Sequence, residues 1–348
     1  MSTTTLGGDT FVQDCLNAGC ALAGVTSADP PERGGILGNW LDDGCHGSMQ
    51  WLDRHRDVRT DPRLLLSGAR SIICVADRYP LVDSDEGPRI ASYARGRDYH
   101  KVIKKRLHAL CDRWSQQYPA ADFRTCVDTA PLLEREVAER AGLGRVGKNT
   151  LLIEPGGGSQ LLLGEVLTTL HIRPTPGQQD DPCGTCTRCI DACPTDALTP
   201  WRLDARRCIS AMTIEHREII DSKWHQGIGR WLFGCDACQT ACPHNQPTVH
   251  TQLLPVGDAT GDRVGELNVL EVMQWTADDR VERLGGTSMT RATLDMLRRN
   301  ACIVAGTMGD SPDRTEICGV LQAIAASDDQ PDMVRAAAIA SLERLNAP

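Results

Sequence analysis

The chain has 348 residues, 41% of them hydrophobic and 24% charged, which is the range of a globular protein of two or three domains. A net charge of −9 argues against a globally basic nucleic-acid binder, though not against a local basic patch. No run of 18 apolar residues offers a membrane span, and MSTTTLGGDTFVQD lacks the basic flank and apolar stretch of an export signal, so a cytoplasmic protein is expected.

In chain order, residues 1–175 read as a mixed α/β domain. SIICVA (71–76) is a short apolar, partly β-branched run suited to a buried strand. HKVIKKRLHALCDRWSQQ (100–117) sets Val102, Ile103, Leu107, Leu110 and Cys111 on one helical face. DTAPLLEREVAERAGLG (128–144) predicts a second helix, with Asp128 at its N-cap, Pro131 in its first turn and Gly142 and Gly144 near its end. TLLIEPGGGSQLLLGEVLTTL (150–170) predicts two strands joined by a glycine-rich hairpin loop. Residues 176–250 hold the cysteine runs and little apolar core of their own. Residues 251–348 end in RRNACIVAGTMGD (298–310) and CGVLQAIAASDDQPDMVRAAAIASLERL (318–345), short amphipathic helices whose Asp-rich, Pro-containing loop suggests HEAT-like repeats.

Sixteen cysteines in a long chain without an export signal point to metal ligation rather than disulfides. CGTCTRCIDAC (183–193), followed by Pro194, has the C-x2-C-x2-C-x3-C-P spacing of two-cluster ferredoxins, and CDACQTAC (235–242), followed by Pro243, keeps its last three positions. In such runs three thiolates hold one [4Fe–4S] cluster and the fourth reaches the other. One cluster is therefore expected on Cys183, Cys186, Cys189 and Cys242. The second is expected on Cys208, Cys235, Cys238 and Cys193, with Cys208 of LDARRCIS supplying the missing ligand. Zinc also takes paired C-x2-C, but not usually this three-spacer pattern with its proline twice over. The other eight cysteines follow no ligand spacing and are expected in cores. Two clusters form a wire, and a wire must feed something.

SYARGRDYHKVIKKRL (92–107), VDTAPLLERE (127–136), AGLGRVGKNTLLI (141–153), GSQLLLGEVL (158–167), the two cysteine runs and CISAMTIE (208–215) occur in this order. Through them, over roughly residues 35–345, the chain resembles the epoxyqueuosine reductase family, which completes queuosine at the tRNA wobble position. Arg145-Val146, Ala211-Met212 and His244 depart from the family pattern. The resemblance implies an α/β cobalamin-binding domain, a two-cluster ferredoxin-like domain and a HEAT-like tail, in a monomer served by an external electron donor. Cobalamin would be bound base-off; no DxHxxG-type motif is present, so spacing alone does not reveal this cofactor.

Reducing an epoxide to an alkene takes two electrons and releases the oxygen as water, so an acid must protonate it. The resemblance assigns that role to Asp128, which requires burial or a nearby negative charge to raise its pKa. It makes Arg97, Lys148, Asn149, Ser210, Cys235 and Asp236 cofactor contacts and Glu215 a substrate contact. The tRNA must present its wobble base unstacked. Candidate cations for it are Arg298 and Arg299 in the tail and the run Arg95, Arg97, Lys101, Lys104, Lys105 and Arg106. A corrinoid reductive dehalogenase and a non-catalytic electron-transfer protein are the competing readings.

Overall fold

The computed structural model describes residues 5–82, 87–177, 180–246, 261–308 and 313–346. Its main sheet has four strands, β1 (Leu22–Ser27), β2 (Ser71–Arg78), β3 (Phe123–Cys126) and β4 (Leu161–Thr168), in the order β1-β2-β4-β3 with every neighbour antiparallel. All eight residues of β2 are buried because both faces of the sheet are covered. On one face Ile73 and Val75 meet Phe11 of α1 (Gly8–Asn17) and Ile103, Leu107 and Trp114 of α2 (Tyr99–Gln117). On the other, Ile72, Cys74 and Ala76 meet Val137 and Ala138 of α3 (Glu134–Arg140). Gly164 of β4 lets α2 sit close, since a Cβ there would stand 2.7 Å from Ile103 Cγ2.

Two predicted elements differ. The helix expected over 128–144 is confined to Glu134–Arg140 with Leu133 at its N-cap. Asp128 is therefore not a cap: it leaves β3 with φ 54° and donates its N–H to Glu134 Oε1 at 2.5 Å. The predicted hairpin over 150–170 also does not form as one unit. Leu152–Ile153 pairs backwards with Arg145–Val146, and a single bridge, Glu154 to Gly158, spans the glycine loop. The Glu154 carboxylate is held by Arg78 of β2 (Nε to Oε2, 2.7 Å), which turns the chain before it enters the sheet centre as β4.

The cysteine-bearing segment shares its core with the tail. Ile209, Met212 and Ile214, in α4 (Ile209–Ile214), and Leu232 and Phe233 pack with α5 (Leu294–Ala305), α6 (Arg314–Ala326) and α7 (Asp332–Leu345). This packing removes Arg299 from the candidate tRNA contacts. Arg299 is 0% exposed, and its guanidinium donates to the carbonyls of His216 (2.7 Å), Glu218 (2.7 Å) and Met212 (3.0 Å), orphans that a buried cation satisfies. Arg298 is half-buried and donates to Met273 O (2.9 Å) and Gln330 Oε1 (2.7 Å). Among the described residues no helix is long and apolar enough to cross a membrane.

Candidate functional site

The cysteines fall into two groups. Cys183, Cys186, Cys189 and Cys242 wall one cavity. Cys238 feels the charges of Cys208, Cys193 and also Cys189, and Cys235 those of Cys238 and Cys208, so Cys193, Cys208, Cys235 and Cys238 share one neighbourhood next to the first group. The last cysteine of the second run thus joins the first three of the first run, as the proline-terminated spacing predicts. Short helices begin at two of these cysteines: Cys208 stands at the N-cap of α4 and Cys242 at the N-cap of the turn Pro243–Asn245. Ser210, expected to contact cofactor, lies in the first turn of α4, two residues after Cys208. Ala197 N–H reaches Cys193 Sγ at 3.3 Å.

Burial pushes the thiols of Cys189, Cys208 and Cys242 up, and that of Cys238 to about 12. Four adjacent thiolates in such surroundings need a positive centre. Among the described residues no three His, Cys, Asp or Glu side chains converge closely enough for a single ion. Four thiolates around one cavity could serve zinc or an iron–sulfur cluster, and the C-x2-C-x2-C-x3-C-P spacing favours the cluster.

Lys148 and Asn149, expected to contact a corrinoid, lie at the first cysteine group. The Lys148 N–H donates to Cys183 Sγ (3.3 Å), and its Nζ donates to the carbonyls of Gly184 (2.6 Å) and Cys186 (3.0 Å). Asn149, 3% exposed, lines the cavity. The short hairpin carrying them folds onto the cysteine segment, a contact that no local pattern announces. Asp236 is buried and accepts from both the N–H and the hydroxyl of Ser92, each at 2.7 Å, tying the α/β domain to the second cysteine group. Arg97 is exposed at the turn before α2, whereas Arg95 pairs with Asp262 (2.7 Å) and Arg106 with Asp77 (2.7 Å), both removed from the candidate tRNA cations.

Asp128 is crowded by protein yet open to solvent on one side, its side chain 57% exposed. Its Oδ2 lies 3.0 Å from His100 Nε2, and His100 Nδ1 lies 2.8 Å from Asp98 Oδ1, with the Tyr99 ring stacked on the imidazole at 4.0 Å. Crowding raises the Asp128 carboxyl, but the bond to His100 and the charges of His100, Arg135 and Arg291 outweigh it and hold it below the usual range. For His100 burial opposes the charge, yet its bonds to Asp128 and Asp98 lift it above the ordinary imidazole value. The expected raised carboxyl is thus a low one, with the pair's proton on His100. Glu215 is clamped by Arg291 (Nε to Oε1 3.0 Å, Nη2 to Oε2 2.7 Å). Burial, then the charges of Asp128, Asp236 and Glu215, push the Tyr93 phenol up, so these acids surround one ring. Tyr93 also lines a second cavity with Tyr79, Ser92, Leu162 and Asp262. Sequence reasoning passed over His100 and Arg291. The only signal for His100 was the aspartate two residues before it.

Residues 59–129 match the family model described as Epoxyqueuosine reductase QueG, DUF1730, and residues 182–245 that described as 4Fe-4S double cluster binding domain. The epoxyqueuosine reductase of Xanthomonas campestris pv. campestris is 37% identical over 315 residues, spanning 88% of this chain and 87% of that protein. A crystal structure of epoxyqueuosine reductase with an epoxyqueuosine-modified tRNA-Tyr stem loop superposes with a TM-score of 0.82 at 28% identity, over 98% of this chain and 90% of that one. The Bacillus subtilis enzyme, solved with an aspartate-bearing catalytic loop swung out of the active site, gives 0.83 at 26% over the same shares.

Proposed function

Because the chain belongs to the epoxyqueuosine reductase family, we propose that it reduces epoxyqueuosine at the tRNA wobble position to queuosine, with Asp128 delivering the proton. The observation that carries this reading is the Asp128–His100 pair, an acid on a left-handed turn with its Oδ2 3.0 Å from an imidazole nitrogen. Opening the epoxide to an alkene breaks both carbon–oxygen bonds, consumes two electrons and two protons, and releases water. His100 holds a proton in the resting pair. Exclusion of water when substrate covers the open side favours the neutral pair, moving that proton across the 3.0 Å bond to Asp128 and on to the leaving oxygen. The positive φ of Asp128 is consistent with a loop that changes conformation, as in the Bacillus subtilis relative.

Electrons come from an external donor through two [4Fe–4S] clusters, one on Cys183, Cys186, Cys189 and Cys242 and the other on Cys208, Cys235, Cys238 and Cys193. Cobalamin, when bound, supplies the electrons at the substrate carbon. The cavity lined by Tyr79, Ser92, Tyr93 and Leu162 is its candidate place, because it lies between Tyr93, whose phenol feels the charge of Asp128, and Ser92, which bonds the neighbour of Cys235. Residues 1–175 carry cofactor and acid, 176–250 deliver electrons, and 251–348, of which 251–260 lie outside the described residues, give helical support. With Arg299 buried and Arg298 half-buried and already bonded, the exposed Lys101, Lys104 and Lys105 on α2 become the phosphate contacts for the stem loop, on the helix that carries His100. Asp128→Asn tests the reading. Turnover of epoxyqueuosine-containing tRNA is expected to fall about 10²–10⁴-fold with clusters and corrinoid retained. Wild-type turnover in that variant would place the proton source elsewhere.

A further inference from the structure

A hairpin tip leans on the first cysteine group in a way that the eight ligands do not require. Its turn, Gly147 to Leu151, is pressed against Cys183: a Cβ on Gly147 would stand 3.2 Å from Cys183 Sγ and 2.5 Å from Ile153 Cδ1. Only glycine permits that approach, and it brings the Lys148 N–H to Cys183 Sγ. Asn149 comes next. Its Oδ1 accepts the Leu151 N–H at 3.2 Å, which fixes the orientation of the amide. The Nδ2 group is then the end left over, buried and without a hydrogen-bond partner, on a side chain lining the cavity of Cys183, Cys186, Cys189 and Cys242. An amide NH₂ left in that condition costs stability unless an acceptor faces it. With the Pro182 carbonyl already facing His244, the four cysteine sulfurs are the main acceptors lining that cavity.

We infer that Asn149 Nδ2 and the Lys148 backbone N–H donate hydrogen bonds to the sulfur atoms of the cluster held by Cys183, Cys186, Cys189 and Cys242, and thereby raise its reduction potential. Reduction adds one negative charge, which spreads onto sulfur, so N–H donors stabilise the reduced cluster more than the oxidised one. The inference rests on the two-cluster reading above. It adds that the α/β domain tunes the electron chain through a hairpin, in addition to housing the reaction.

The test is an EPR-monitored redox titration of anaerobically purified protein, with pulsed EPR of the reduced cluster in H₂O and D₂O. Asn149→Ala removes the donor. Asn149→Asp keeps the acceptor for Leu151 N–H and so preserves the turn. In both variants one midpoint is expected to fall, by about tenfold in the one-electron equilibrium, or ~59 mV, while the other stays in place. An exchangeable proton coupling present in wild type should disappear. Unchanged midpoints with about eight irons per chain would overturn the inference alone. Loss of a cluster in both variants would overturn it in favour of an assembly role. Wild type holding only about four irons would instead break the two-cluster reading itself.

Discussion

In β2 all eight side chains are buried, Ile73 and Val75 on one side of the sheet and Ile72, Cys74 and Ala76 on the other. Between Cys183 and Cys242 the α-helices are only four to six residues long, too short to hold themselves in water. The sheet is stabilised by apolar burial over long elements. The cysteine segment leans on the tail through Met212, Leu232 and Phe233 and gathers its sulfurs into two groups whose mutual repulsion a metal centre must offset. Burial is thus sufficient for one region and insufficient for the other.

The largest expected effect comes from iron removal. Anaerobic chelation should abolish amide protection in residues 183–214 and 231–242 while β2 and β4 stay protected, read by hydrogen exchange. Equal loss in both regions would break the contrast. Next is Arg299→Met, which leaves the carbonyls of Met212, His216 and Glu218 without their donor, at a cost of about 3 kcal/mol or more in denaturant unfolding. The cysteine segment should loosen before the sheet does. A cost below about 1 kcal/mol would show that apolar contacts alone attach the segment to the tail.

Within the sheet the exception is Glu165 of β4, 0% exposed, neither of whose oxygens meets a donor. Burial and the neighbouring Glu134 carboxylate push its pKa well up, and burial with Asp128 raises Glu134. A carboxyl raised on folding adds stability below the ordinary carboxylate range and loses it as pH rises through the raised values. Glu165→Gln should therefore stabilise the protein by about 1–3 kcal/mol at pH 8 and by little at pH 4. Parallel pH–stability curves for the two proteins would mean that burial and Glu134 do not raise the Glu165 carboxyl.

The smallest effect belongs to the Asp128–His100 pair. A depressed Asp128 contributes stability above the ordinary carboxylate pKa and loses it as pH falls through its own lower value. A raised His100 contributes below the ordinary imidazole pKa and loses its share as pH rises through its higher one. The sum is full from about pH 4 to 6.5 and, for so exposed a pair, at most about 1 kcal/mol. A double-mutant cycle with Asp128→Asn and His100→Gln should show coupling inside that window and lose it outside. Coupling that ignores pH would point to packing of His100 on Tyr99 instead.

Much of this architecture was legible in short stretches of sequence. The apolar run at 71–76 marked the central strand, the spacing of Ile103, Leu107 and Leu110 marked α2, and the proline-terminated cysteine runs foretold which sulfurs would meet. Each of these signals is local, because a strand, a helical face or a ligand loop is written within a few residues of itself. What tertiary structure alone decided lies across longer separations. Leu152–Ile153 pairs backwards with Arg145–Val146, and the next residue, Glu154, finds Arg78, far earlier in the chain. Asp128 is an acid beside an imidazole 28 residues away, and no helix cap. Arg299 lies inside, answering carbonyls more than 80 residues distant, although adjacent arginines on a helix read as a solvated or phosphate-binding face. Whether a charged side chain faces water, a partner or a backbone carbonyl depends on which distant segment packs over it, and periodicity carries no record of that segment.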